Sequence, residues 1–201
     1  MEEFNKGHSA HEVKPVLPDR DGKFYNPEIE RNSRSLVDID LDHAMIHRGR
    51  HYYMADYLEL GNAESADLFF QIGEKDIHFV YGVWSDLGPF LLTSYEDITI
   101  TGGGTPMVIQ NSNRNPEAPK TDTILLLNPT GVVIPEGNLP LRRTRLGGTT
   151  AGPGRVGGSV SRTAEVVLYR GKKYLIRLAN LSGATNYINL IFAYYPSNTE
   201  M

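Results

Sequence analysis

The sequence predicts an all-β protein: an antiparallel β-sandwich, jelly-roll-like, with an extended N-terminal arm. Three observations lead there. From residue 51 onward, runs rich in Val, Ile, Leu, Tyr and Phe recur at roughly 8–12-residue spacing. Gly, Pro, Asn and Ser clusters separate these runs. No periodic segment of helical length interrupts them, so the βαβ alternation of a nucleotide-binding sheet is absent.

Residues 1–44 read as the arm. They hold ten acids and six bases, whereas 45–201 holds 14 of each. Pro15, Pro18 and Pro27 punctuate the segment, and no apolar period of 2 or 3.6 is sustained. Such a composition buries too little apolar surface to order itself alone. Leu36, Val37, Ile39, Leu41, Met45 and Ile46 give its end an apolar grip.

The body, 45–201, reads as strands. Residues 51–60 (HYYMADYLEL) and 67–72 (DLFFQI) open it. In 77–84, Ile77, Phe79, Tyr81 and Val83 share one face at period 2, which turns His78 outward. Residues 90–96, 97–101 and 107–110 follow, then a polar loop, NSNRNPEAP, at 111–119. Residues 121–127 and 131–134 continue the pattern, and 164–170, 173–178 and 187–195 close it. Gly171 and Lys172 read as the tight turn of a hairpin between 164–170 and 173–178.

One segment breaks the rhythm. Residues 137–164 contain seven glycines, five arginines and no acid. The expectation is a long loop that orders against a partner. Its charge is opposite to that of the arm, so one molecule's arm is expected on another's loop.

Chemistry-bearing groups are few. The absence of cysteine excludes disulfides, thiolate zinc sites and cysteine nucleophiles, and fits synthesis in a reducing cytoplasm. No apolar run approaches the ~20 residues of a membrane helix, and the N-terminus lacks a signal-peptide pattern. His43, His47 and His51 stand four apart, a metal-binding spacing only if the whole stretch is helical. Gly49 and the strand beginning at His51 oppose that, so hydrogen-bonded surface or core roles are expected. A cupin-type site needs histidines on neighbouring strands, and only His78 sits within a mid-chain strand. No G-x-S-x-G elbow and no phosphate-binding loop is present. Glu59, Glu96, Asp97 and Asp122 fall at strand ends, where acids are ordinarily solvated. The pI of about 5.9 and a basic segment without aromatics argue against nucleic acid. The tyrosines are expected mainly in the core, with subunit interfaces and sugar platforms as lesser roles. No enzyme activity, cofactor or metal is expected.

Two blocks carry a family resemblance. The first is DLDHAMIHRGRHYYMADYLELGNAESADLFFQIG at 40–73; it holds an H-R-G-x-H-Y stretch (His47 to Tyr52) before a strand and an L-G-N turn (Leu60 to Asn62). The second is TAEVVLYRGKKYLIRLANLSGATNYINLIFAYY at 163–195, in which Y-L-I-R-L-x-N-x-S-G (Tyr174 to Gly183) leads into the final strand. Together they resemble virion structural proteins of tailed bacteriophages, of the capsid-decoration or cement type. The resemblance implies a sandwich on the outer face of an icosahedral head, bound where neighbouring capsomers of the major capsid protein meet. It also implies homo-oligomers, as trimers or dimers. On this reading Arg142, Arg143, Arg145, Arg155 and Arg162 contact the partner, and Leu36, Ile39 and Leu41 anchor the arm. His47, Arg48, Arg50, His51 and Tyr52 form the hinge between arm and body. The rival readings are a receptor- or carbohydrate-binding module of a fibre, a tail or portal adaptor, and a β-sandwich enzyme.

Overall fold

A computed structural model describes residues 17–18, 24–25, 41–146, 156–157 and 165–197. The chain forms two compact units, 1–40 and 41–201. In the first, β1 (Leu17–Pro18) pairs antiparallel with β2 (Phe24–Tyr25). The second begins with a short helix, α1 (Leu41–His47), and continues as strands.

These strands are β3 (Tyr52–Leu60), β4 (Ser65–Gln71), β5 (Ile77–Ser85), β6 (Phe90–Glu96), β7 (Thr105–Pro106), β8 (Gln110–Asn111) and β9 (Ile124–Leu127). After them come β10 (Arg142–Leu146), β11 (Val156–Gly157), β12 (Val166–Leu168), β13 (Lys173–Asn180) and β14 (Asn186–Pro196). One sheet runs β10-β6-β13-β4-β9-β7; the other runs β11-β5-β14-β3-β8, with β12 also on β5. All pairings are antiparallel.

The strand order is that of a jelly roll. From β3 to β6 each strand lies in the opposite sheet from its predecessor; β10 stays beside β6, and β12, β13 and β14 alternate again. The final two strands therefore enter the middle of each sheet. Period-2 patterning explains the packing. Leu68 and Phe70 of β4, Ile176 and Leu178 of β13, Phe79 and Val83 of β5, and Leu190 and Phe192 of β14 meet in one core. Phe70 meets Phe79 and Phe192 edge-on, each at 5.3 Å between ring centres.

A second, smaller core lies on the outer side of the β10-to-β7 sheet. Phe69 and Leu175, which point away from the main core, are 2% and 0% exposed because Ile98, Ile100, Val132 and Ile134 cover them. The covering segments touch through two isolated bridges, Thr99 to Val133 and Gly102 to Thr130. The expected strands at 97–101 and 131–134 are thus bridges rather than strands, and the expected strand at 107–110 is replaced by β7 just before it and β8, which takes only its last residue, Gln110.

Two further expectations are corrected. Gly171 and Lys172 do not close a hairpin: β12 belongs to one sheet and β13 to the other. The turn carries the chain between sheets, and the Gly171 N–H donates to the carbonyls of Ile72 and Gly73. The 137–164 segment is not a continuous loop. Arg142–Leu146 extends one sheet at β6, and Val156–Gly157 extends the other at β5. The outer edges of β6 and β5 offered unpaired backbone groups, and pairing satisfies them.

Candidate functional site

Those of the singled-out residues that the structure describes gather in two places, the β10 edge and the end of α1. Along β10, Leu141 donates its N–H to the Ser94 carbonyl at 2.8 Å, and pairing continues in register to Leu146 opposite Phe90. Side chains alternate between the faces. Leu146 packs on the main core and Thr144 is half-buried. Arg142 shares their face and crosses the sandwich, with its guanidinium carbon 5.3 Å from the centre of the Tyr81 ring. Burial raises the Tyr81 hydroxyl pKa, and the Arg142 charge offsets part of that rise.

Arg143 and Arg145 take the opposite face and are exposed. Immediately before them, Leu139 and Leu141 are 80% and 58% exposed. Two exposed leucines at alternate positions make a small apolar patch rather than a single exposed side chain. The edge therefore presents two leucines followed by two arginines at alternate positions. Of the five expected contact arginines, Arg142 is exposed too but lies over Tyr81 of the same chain, whereas these two take the opposite face. Arg155 and Arg162 lie outside the described residues, as do Leu36 and Ile39.

The end of α1 is built differently. Gly49 adopts φ +66°; Arg50 N–H bonds Met45 O at 2.8 Å and Gly49 N–H bonds Ile46 O at 2.9 Å. That is a Schellman cap, which a residue with a side chain fits poorly. Leu41 is the first residue of the helix, and Met45 within the helix is buried.

The polar loop then locks the helix exit. Asn111 Nδ2 donates to the Gly49 carbonyl at 2.7 Å and to that of Pro119 at 2.9 Å, and Asn113 Nδ2 donates to the His47 carbonyl at 3.2 Å. The Oδ1 atoms of Asn111, Asn113 and Asn115 each accept the N–H two residues on, at 2.9, 3.0 and 3.1 Å. Three successive Asx turns shape the loop. In the sequence this ladder shows only as the N-x-N-x-N spacing of Asn111, Asn113 and Asn115, within a segment expected as a plain polar loop.

Beyond Arg48 and Arg50, both exposed, His51 Nδ1 lies 2.6 Å from Ser112 Oγ. Tyr52 is buried, stacks on Tyr194 at 5.3 Å between ring centres, and donates its hydroxyl to Pro119 O at 3.2 Å. Tyr194 in turn bonds the Thr121 hydroxyl, and burial pushes its own hydroxyl pKa up to about 12. The His47 to Tyr52 stretch is thus hydrogen-bonded onto the body at several points. An open cavity of about 390 Å³ lies beside it, lined by Tyr52, Asn111, Arg114, Pro119, Lys120 and Thr121 among others.

Two other constellations resolve simply. His78 points away from the core, as its alternation requires, yet it is only 8% exposed. Its ring stacks on Tyr195 at 4.8 Å, and its Nδ1 lies 2.5 Å from Glu165 Oε1, which also accepts the Tyr195 hydroxyl at 3.0 Å. Of the strand-end acids, Asp97 binds Lys172 at 2.7 Å and Asp122 accepts the Glu74 N–H at 2.7 Å. On the outer face of the β3–β14 pair, Tyr57 and Tyr187 stand 61% and 38% exposed, 6.3 Å apart. Tyr52, Tyr174, Tyr194 and Tyr195 are buried.

Among the described residues, no three His, Cys, Asp or Glu side chains converge as a metal site, and no helix is long and apolar enough to cross a membrane. No family model matches the chain, and neither a curated protein nor a solved structure does.

Proposed function

We propose that this chain is a decoration protein of a phage head: it binds the outer capsid face, bridges neighbouring capsomers and opposes their separation. The observation that carries this reading is the β10 strip. Leu139 and Leu141 supply apolar area that water does not favour, and Arg143 and Arg145 supply charge and planar donors for a carboxylate-bearing protein surface. The same arginines, on an edge strand, discourage open-ended strand addition, so side-chain docking is favoured over fibre growth. The sequence resemblance in 40–73 and 163–195 points the same way. Mechanism follows from multivalency: many copies, each making modest contacts with more than one subunit, sum to a large barrier against shell rupture.

Comparing particles that carry or lack this chain tests the reading. Particles without it should rupture at lower temperature, and restoring purified protein should restore the rupture temperature. Equal rupture temperatures would refute it.

The exposed Tyr57 and Tyr187 pair favours a second reading, a carbohydrate-binding module of a fibre, since adjacent tyrosines form platforms for sugar rings. A glycan-array signal abolished by Tyr57→Ala and Tyr187→Ala would support that reading instead.

A further inference from the structure

His43 and His47 lie one turn apart on α1, and both are exposed. Their Nε2 atoms are 2.8 Å apart and their ring centres 4.6 Å. Each ring has turned the same nitrogen toward the other, so one Nε2–H donates to the lone pair of its neighbour. Two imidazoles that converge on one point from positions i and i+4 form a chelate pair.

We infer that His43 and His47 bind a divalent transition-metal ion, of the zinc or copper class, through both Nε2 atoms. Zinc–imidazole bonds are about 2.0–2.1 Å, and two of them at a tetrahedral angle place the nitrogens roughly 3.3 Å apart. The observed pair needs to open by only about half an ångström, within the reach of small side-chain rotations. The donor ring changes tautomer, its proton moving from Nε2 to Nδ1 through solvent, so both lone pairs face the ion and no net proton leaves the neutral pair.

The backbone beneath the pair is already fixed. Met45, between the two histidines in sequence, is buried, Gly49 caps the helix, and Asn113 holds the His47 carbonyl. The entropy of bringing the ligands together has therefore been lost on folding rather than at binding. No third Asp, Glu, His or Cys joins the pair among the described residues, and the remaining coordination positions are open to water. An ion bound here would also tie the first turn of α1 to its last. The inference is independent of capsid binding.

The test is calorimetric titration of the full chain with zinc chloride, in a His8→Gln, His11→Gln background that removes the histidines nearest the N-terminus. Imidazole ¹⁵N spectra report which nitrogens take the metal. One saturable equivalent is expected, with the Nε2 signals of His43 and His47 shifting together. Either His43→Gln or His47→Gln should weaken uptake roughly tenfold or more, since one imidazole alone loses the effective concentration of its neighbour. The melting temperatures of these surface variants without zinc should match that of the parent. No saturable uptake, uptake in both variants as strong as in the parent, or shifts confined to other histidines would each overturn the inference.

Discussion

Arg142 reaches from the edge of one sheet to Tyr81 on the other, leaving 5.3 Å between guanidinium carbon and ring centre. It joins the two sheets at the rim of the main core, where Tyr81 packs, whereas its neighbours Arg143 and Arg145 take the opposite face. Adjacent arginines thus do different work. Arg142→Ala should cost about 0.5–1 kcal/mol, the usual size of a cation–π contact. That corresponds to a fall of roughly 1–4 °C in melting temperature for a domain of this size. Arg143→Ala and Arg145→Ala should leave stability within about 0.5 kcal/mol of the parent. Differential scanning calorimetry of the three variants separates these outcomes.

The two cores should fail differently. Phe192→Ala in the main core should cost about 3–5 kcal/mol and Leu175→Ala in the outer core about 2–5 kcal/mol. Only the second should selectively expose the covering segments. Thr99, Thr101 and Val133, whose N–H groups bond Val133, Thr130 and Thr99 carbonyls at 3.1, 3.1 and 2.8 Å, would lose hydrogen-exchange protection ahead of global unfolding.

Alkaline pH should weaken the fold through Tyr194. Its folded-state pKa of about 12 exceeds the ordinary value of 10.0, chiefly through burial. The folded chain therefore holds the proton more tightly than the unfolded chain. This contribution is fully present below pH 10, declines as pH rises past it, and is lost by about pH 12. Tyr194→Phe retains the ring against Tyr52 and removes the proton, so its denaturation midpoint should fall less steeply through this range. Tyr174, also raised to about 12, accounts for part of the slope that remains.

Asn111→Ala should detach the helix exit. It removes the bonds to the Gly49 and Pro119 carbonyls, each worth about 0.5–1.5 kcal/mol. Exchange at the amides of Arg48, Gly49 and Arg50 should accelerate, while β13 and β14 amides keep their protection. Equal protection throughout would show that the Asn ladder does not hold α1.

Much of the fold was legible because burial on one face imposes period 2. Ile77, Phe79 and Val83 are the clearest instance, with Tyr81 packed against their core. Where both faces are covered the period vanishes: Phe69 beside Phe70, and Tyr174, Leu175 and Ile176 in sequence, are all buried. The turn at Gly171 reads alike whether it closes a hairpin or crosses between sheets, because strand pairing is non-local. β10 was illegible for a different reason. An edge strand with one neighbour needs few apolar residues, and in RRTRL only Leu146 meets the main core. His78 faces outward as the alternation requires, but its burial there was not legible, because the groups that cover it, Glu165 and Tyr195, lie far along the chain. The site was half legible. The arginines marked the segment, but only strand register distinguishes Arg142 from Arg143 and Arg145, and only the fold brings the loop asparagines to α1.

Binding of the purified chain to isolated heads that lack it tests the central claim most directly. Saturable co-sedimentation should appear for the parent and for Tyr57→Ala, Tyr187→Ala, with on the order of hundreds of copies per head, as repeated capsomer contacts require. It should vanish for Leu139→Ser, Leu141→Ser, Arg143→Glu, Arg145→Glu in a chain that still melts like the parent. Undiminished binding by that folded variant, or no binding by the parent, would contradict the account.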